Sequence, residues 1–385
     1  MAENHGNKKV RVGIIGIGNW ANFGHLPVLA LLPQYEIVAI YARRTEATQA
    51  AATAFHIPYI AKSVDELVTR ADVDLVVVLT TPPQHEEGIR AAIAAKKDVY
   101  CEWPLTVNSK IAEELVGLAR DAGVRHFVGL QRRMTPSISY ARDLINDGFI
   151  GKLRSARLHV STNYLQAIRG KGLQWTVPPE NASGAVNIFA GNFLDMLFTI
   201  IGRPTALSAV LLNQFPEVTI QETGEVMKTT TPDVLVVAGL LKDGAALSVQ
   251  IEGGKRNGSG VQIDFTGDAG DLLITNTSAF GGTDDYVVRG AHGDNLPLQI
   301  QPLPAKYNLF PDAAMPLAVV ELAHLYAAFA RDVAEGTDTA PNFNDAAWMH
   351  RLIEGLEGAS TTGSRVAVGS RASKNTQRMK ITTGH

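Results

Sequence analysis

Cysteine is nearly absent: Cys101 is the only one in 385 residues, so no disulfide framework holds the chain together, and a reducing compartment suits it. No basic run follows the sequence and the formal net charge is −3, which argues against direct nucleic-acid binding. No uninterrupted apolar run reaches the length of a membrane span; Leu75 to Leu79 is strand-sized. The stretch from Met1 to Lys9 is polar and lacks the apolar core of a signal peptide. Internal repeats and low-complexity tracts are missing. The ten histidines show no metal-ligand spacing, so no metal is expected, and most of them read as surface or capping groups. What is there is a globular composition, 45% hydrophobic and 19% charged, on a chain too long for one ordinary core. The expected location is cytoplasmic.

The first third alternates short apolar runs with helical patterns, the rhythm of a parallel α/β sheet. The run Val10 to Ile15 leads into Gly16-Ile17-Gly18-Asn19-Trp20-Ala21. In this Gly-x-Gly-x-x-Ala turn, Gly16 permits the tight bend and Gly18 lets the backbone approach a pyrophosphate. Ala21 keeps the next helix close to the sheet, its N-terminal amides aimed at the phosphates. A second strand, Glu36 to Tyr41, ends in Ala42-Arg43-Arg44-Thr45. An NAD site usually places an acid there; two guanidiniums and a hydroxyl suit a 2′-phosphate, so NADP is the expected cofactor, with NAD as the alternative. After a third strand, Thr80-Thr81-Pro82-Pro83-Gln84-His85 reads as a loop that its two prolines hold extended beside the cofactor.

The order of Gly16-x-Gly18-x-x-Ala21, Thr81-Pro82-Pro83-x-His85, Glu102-Trp103-Pro104 and Gly129-Leu130-Gln131-Arg132-Arg133 resembles that of the Gfo/Idh/MocA family. Asp195 to Gly202, and Phe265 to Gly270, resemble that family's helix end and sheet hairpin. The resemblance implies a Rossmann dinucleotide-binding domain over residues 1–133. Residues 134–385 would form an α+β domain built on a large, mostly antiparallel sheet. The open face of that sheet often forms an oligomer interface, so a homodimer or tetramer is implied. The cofactor residues it marks are Gly16, Gly18, Asn19, Trp20, Arg43, Arg44, Thr45, Thr81, Pro82, His85 and Glu102. The runs Val234 to Leu241 and Ala246 to Ile251, separated by turn residues, agree as strands.

Hydride chemistry on a carbinol needs a group that takes or gives the hydroxyl proton. The family usually supplies it with the Lys of Glu-Lys-Pro and a downstream Asp-x-x-x-His. Here those positions hold Trp103, Ile188 and Asn192, none of which has a useful pKa. Two readings follow. In the first the chain is an oxidoreductase with a non-standard site acting on a carbohydrate-like or other polar carbonyl or hydroxyl compound. Trp103 walls the nicotinamide, Asn192 and Tyr164 orient the substrate oxygen, and Tyr164, aided by Lys171, carries the proton. In the second the Glu102-Trp103 pair, similar to that of the fungal galactose-repressor branch, marks a dinucleotide-sensing regulator with a protein partner. It would then be nucleocytoplasmic.

Overall fold

The structure, a computed structural model, describes residues 9–368 except 281, 283 and 284. The polar segment after Ser370 and the first eight residues lie outside the described residues. Five buried β-branched runs form a parallel sheet: β1 (Val10–Ile15), β2 (Tyr35–Tyr41), β3 (Leu75–Val78), β4 (Asp98–Cys101) and β5 (His126–Val128), in the order β2-β1-β3-β4-β5. Helices α1 (Leu26–Leu31), α2 (Thr45–Ala54), α3 (Val64–Val68), α4 (Pro82–Ala94) and α5 (Ser109–Ala122) connect them. Strand order reverses between β1 and β3, and a crevice at the carboxyl ends opens there.

Two local expectations are corrected. Pro82 occupies the first turn of α4 behind an extended Thr81, so the prolines open a helix rather than hold a loop; proline suits a position whose N–H has no intrahelical partner. The helix after the glycine turn opens with Asn19 and Trp20 and widens into a π-turn, Ala21–His25, before it tightens into α1. Such turns frequently mark functional sites.

The second region starts with α6 (Pro136–Asn146) and builds a nine-stranded sheet. Its members are β6 (Leu153–Ser161), β8 (Pro204–Leu212), β11 (Val234–Leu241), β12 (Ala246–Glu252), β13 (Gly260–Gly267), β14 (Gly270–Asn276), β15 (Val287–His292), β16 (Gln299–Ile300) and β17 (Val366–Ala367). A three-stranded sheet is made of β7 (Ile168–Arg169), β9 (Glu217–Ile220) and β10 (Val226–Lys228). Every neighbour in the large sheet is antiparallel except β6 and β12. Helices α7 (Gly191–Ile201) and α9 (Phe343–Thr362) join its core, in which Phe193, Leu197, Ile263, Phe265 and Met349 are buried. On the other face Val210, Leu212, Val236 and Leu240 are exposed along β8 and β11.

Helix α8 (Leu317–Glu335) crosses back. Its Val319, Leu322, Tyr326 and Phe329 pack in one cluster with Val12, Ile14 and Leu26. A boundary at 133/134 thus separates in sequence what packing joins in space.

The segment Pro179–Ile201 has the length and apolarity of a membrane span, with mean hydropathy 1.5, but 78% of that window is buried inside the fold. Tertiary packing explains its composition.

Candidate dinucleotide and substrate cleft

The crevice is a cavity of about 1020 Å³ lined from both regions of the chain. Gly16 bends with φ +100°, and a Cβ there would lie 2.9 Å from the Leu79 carbonyl carbon. β1 and β3 therefore approach closely at the switch point. At Gly18 a Cβ would meet nothing within 4 Å, so the turn leaves the open cradle a pyrophosphate requires. Asn19, Trp20, Arg43, Arg44, Thr81, Pro82, His85 and Glu102 line the same cavity. Thr45 does not line it; it is the first residue of α2. The Arg44 guanidinium folds back onto the Ile17 carbonyl, while Arg43 makes no hydrogen bond among the described residues.

Glu102 directly follows β4, two strands beyond the glycine turn in the sheet. Its Oε1 accepts from Trp20 Nε1 at 3.1 Å, from His25 Nε2 at 2.7 Å and from the Tyr100 hydroxyl. Burial pushes its pKa up, but the hydrogen bonds of His25, Tyr100 and Trp20 outweigh burial and hold it below the ordinary glutamate value. The Tyr326 hydroxyl, 2.8 Å from His25 Nδ1, has no other acceptor among the described residues. It donates to Nδ1 and so assigns the imidazole proton to Nε2.

Trp103 lines the cavity, but its Nε1–H donates to the Asn187 carbonyl at 2.8 Å. Its ring packs 4.7 Å from that of His350, and a Cβ at Gly191 would come within 2.3 Å of Nε1. The indole is a wall, with its one donor already engaged. Asn192 donates to Ile188 O at 3.0 Å, and its Oδ1 is buried without a partner among the described residues. Thr80 Oγ1 and Gln131 Oε1 are orphaned in the same way, and all three residues line the cavity. Buried polar atoms of this kind call for a partner; hydroxyl or amide donors of a ligand would satisfy them.

Tyr164 is not among the lining residues. It is 38% exposed and packs in an aromatic group with Phe189 and Phe280. In this position the ring stands beside the cavity-lining Phe280 and not on the wall itself, whereas a proton donor must reach the reacting oxygen. Gly172 and Trp175, further along the same segment, do reach the cavity wall.

Several site groups escape a reading of the sequence alone. His25, His85, His324 and His350 are buried, four exceptions to the reading of most histidines as surface or capping groups. His85 Nδ1 and Nε2 face the carbonyls of Pro104 (2.9 Å) and Thr80 (3.0 Å), and burial lowers its pKa. Glu321, 1% exposed, stands 3.7 Å from Arg132, accepts from Thr135 Oγ1 at 2.7 Å and lines the cavity. Burial raises its pKa more than Arg132 and Thr135 lower it. Its signal in the sequence is a lone acid inside the apolar face of a helix. Arg132 itself lies 4.4 Å and 4.2 Å from the Phe193 and Phe280 ring centres.

Among the described residues no group of three His, Cys, Asp or Glu side chains is placed to hold a metal. Cys101 is buried, and burial raises its thiol pKa well above the ordinary value, opposite to what a nucleophile needs.

Comparison with known proteins agrees with this architecture. Residues 10–130 match the Gfo/Idh/MocA model, an oxidoreductase family with an NAD-binding Rossmann fold. Residues 136–276 match the model of the Gal80p C-terminal domain. The dehydrogenase aclE of Aspergillus oryzae is 31% identical over 60% of this chain and 67% of its own. The galactose/lactose metabolism regulatory protein GAL80 of Saccharomyces cerevisiae is 24% identical over 93% of this chain and 94% of its own. In fold, a super-repressor mutant of Gal80p from that yeast superposes with a TM-score of 0.83 at 22% identity, covering 94% of this chain and 98% of its own. Levoglucosan dehydrogenase in complex with NADH and levoglucosan superposes with 0.82 at 20%, covering 94% and 100%. The chain therefore belongs to the Gfo/Idh/MocA oxidoreductase family, on its Gal80-like side.

Proposed function

We propose that the chain is an NAD(P)-dependent oxidoreductase acting on a polar carbonyl or hydroxyl compound, with its proton handled by Glu321. The observation that carries this reading is the Glu321 carboxyl, buried and shifted upward, on the wall of the cavity that holds the glycine turn. A perturbed acid in a cleft is a functional-site candidate, and a raised carboxyl is closer in pKa to its task at neutral pH. Thr135 and Arg132 occupy Oε1, leaving Oε2 to take the proton of a substrate hydroxyl or to return it to a carbonyl oxygen. Asn192 Oδ1, Gln131 Oε1 and Thr80 Oγ1 would hold the remaining hydroxyls of a polyol-like substrate. The nicotinamide, when bound, supplies or accepts the hydride.

The test is NADPH oxidation against a panel of aldehydes, ketoses and ketosugars, with NADP and polyols in reverse. Glu321→Gln lowers kcat by about 100-fold or more, whereas Tyr164→Phe leaves it near wild type. An unchanged rate in Glu321→Gln ends the assignment.

Arg43 and Arg44 support NADP as the preferred form. Titration by nicotinamide fluorescence should show NADPH bound more tightly than NADH, and Arg43→Ala should erode the difference by roughly tenfold, one charge-assisted contact. A tighter NADH complex would reverse the preference.

A second reading rests on Trp103, whose N–H is tied to Asn187 in place of a free proton donor, and on the Gal80p-like second half. In it the chain binds the dinucleotide without turnover and responds by contacting a protein partner. Tight cofactor binding with no turnover across the panel would select it.

A further inference from the structure

Buried charge in the cleft is unevenly matched. Arg132 is ion-paired with Glu321 and held between two phenyl rings. His85 is buried, which lowers its pKa, and both of its ring nitrogens are engaged by the carbonyls of Pro104 and Thr80. Glu102 keeps 17% of its side-chain surface open and belongs to the cavity wall. Its donors are a neutral indole, a phenol and an imidazole whose other nitrogen receives the Tyr326 proton. Residue 103, beside it, carries no cation, and its indole faces Asn187. The result is a carboxylate held ionised by three donors, all of them on Oε1, with His25 at 2.7 Å its one ion-pair partner among the described residues and no lysine or arginine beside it.

The order β2-β1-β3-β4 also fixes which part of a dinucleotide meets it. In this fold the adenosine half lies over the first strands, where Arg43 and Arg44 end β2, and the pyrophosphate lies at the glycine turn. The far end of the molecule then extends over β3 and β4, toward Glu102. Oxidised and reduced dinucleotides differ there by one unit of charge, since the ring is cationic only when oxidised.

Resting on the proposal that the cleft binds a nicotinamide dinucleotide, we propose that it selects the oxidised form over the reduced one, and that Glu102 is the residue that discriminates. The phosphates and adenosine are common to both forms, so Arg43, Arg44 and the glycine turn do not contribute. A single uncompensated charge pair at partly buried separation changes Kd by about tenfold to 100-fold. By linkage, each tenfold in this ratio lowers the midpoint potential of the bound couple by about 30 mV.

Isothermal titration of the full chain with NAD+, NADH, NADP+ and NADPH measures the two ratios directly, without turnover. The oxidised member of each pair should bind about tenfold tighter or better. Glu102→Gln, which keeps the shape and an acceptor oxygen, should bring both ratios toward unity. Trp103→Lys, which places a cation beside an intact Glu102, should do the same and covers the case in which Glu102→Gln does not fold. Equal affinities in wild type, tighter binding of the reduced forms, or ratios unmoved in both variants overturn the proposal while leaving dinucleotide binding intact. No binding of any of the four overturns the binding reading together with it.

Discussion

Gly16→Ala should abolish useful dinucleotide binding, weakening it by about 100-fold or more, roughly 3 kcal/mol. Two effects act together. The residue sits at φ +100°, where a side chain carries a strain of about 1–3 kcal/mol. Its new Cβ would also stand 2.9 Å from the Leu79 carbonyl carbon and 3.0 Å from Thr80 N. These are backbone atoms of the neighbouring strand's end, which cannot swing aside as a side chain can, so β1 and β3 must separate at the mouth of the cleft. Gly18→Ala is the informative companion. Its Cβ meets no protein atom within 4 Å, so stability should stay within about 1 kcal/mol of wild type while affinity falls, because the methyl occupies the space left for the ligand. Thermal melts and fluorescence titrations with NADPH separate the two effects. Unchanged affinity in Gly16→Ala would show that the dinucleotide lies elsewhere.

The largest effect on stability is expected from Arg133→Met, a loss of about 3–5 kcal/mol. Arg133 Nε donates to Asp195 Oδ2 at 2.7 Å, a second guanidinium nitrogen bonds Asp195 Oδ1, and Nη1 reaches Asp345 Oδ2 at 3.1 Å. Asp195 is a buried residue of α7, and burial already raises its pKa more than Arg133 lowers it. Removing the guanidinium leaves that carboxyl with no side-chain hydrogen-bond donor among the described residues and only the more distant charge of Arg203. Asp345 keeps Arg203 at 3.2 Å and its place in the capping box of α9, so the damage centres on Asp195. The double variant Arg133→Met, Asp195→Leu should recover most of the loss, since an apolar pair of similar volume is often neutral. Chemical denaturation of the three variants measures this. A single variant within about 1 kcal/mol of wild type would mean that the pair holds nothing together. Arg133 and the adjacent Arg132 thus part company in the fold: one is a tie between helices and the other a member of the cavity wall.

How much was legible follows from the range of the interactions. β1, β11 and β12 appear with bounds within a residue of the sequence pattern, because strand character is written in local runs of β-branched and apolar residues. The glycine turn is legible for the same reason: strand, turn and helix are contiguous. The Glu102 cluster is not, since His25 is 77 positions away from Glu102 and 301 from Tyr326, and no periodicity links them. The position of Tyr164 was not legible for a related reason. Gly172 and Trp175 of the same segment line the cavity, but the exposed ring beside Phe280 could be placed only in three dimensions. The lone Glu321 and the lone His25 in apolar surroundings did carry a signal, the rarity of such groups in a core, but a signal without an address.

The return of α8 to the first sheet has a consequence for synthesis. Val12, Ile14 and Leu26 share their cluster with Tyr326 and Phe329, which are translated long after β5 has left the ribosome. At roughly 5–20 residues per second, the nascent first region waits on the order of ten seconds or more with that apolar flank uncovered. Vectorial folding from the N-terminus therefore cannot complete the nucleotide-binding unit; the last third of the chain closes it, and a message cut short before α8 would release a product with an open, aggregation-prone side.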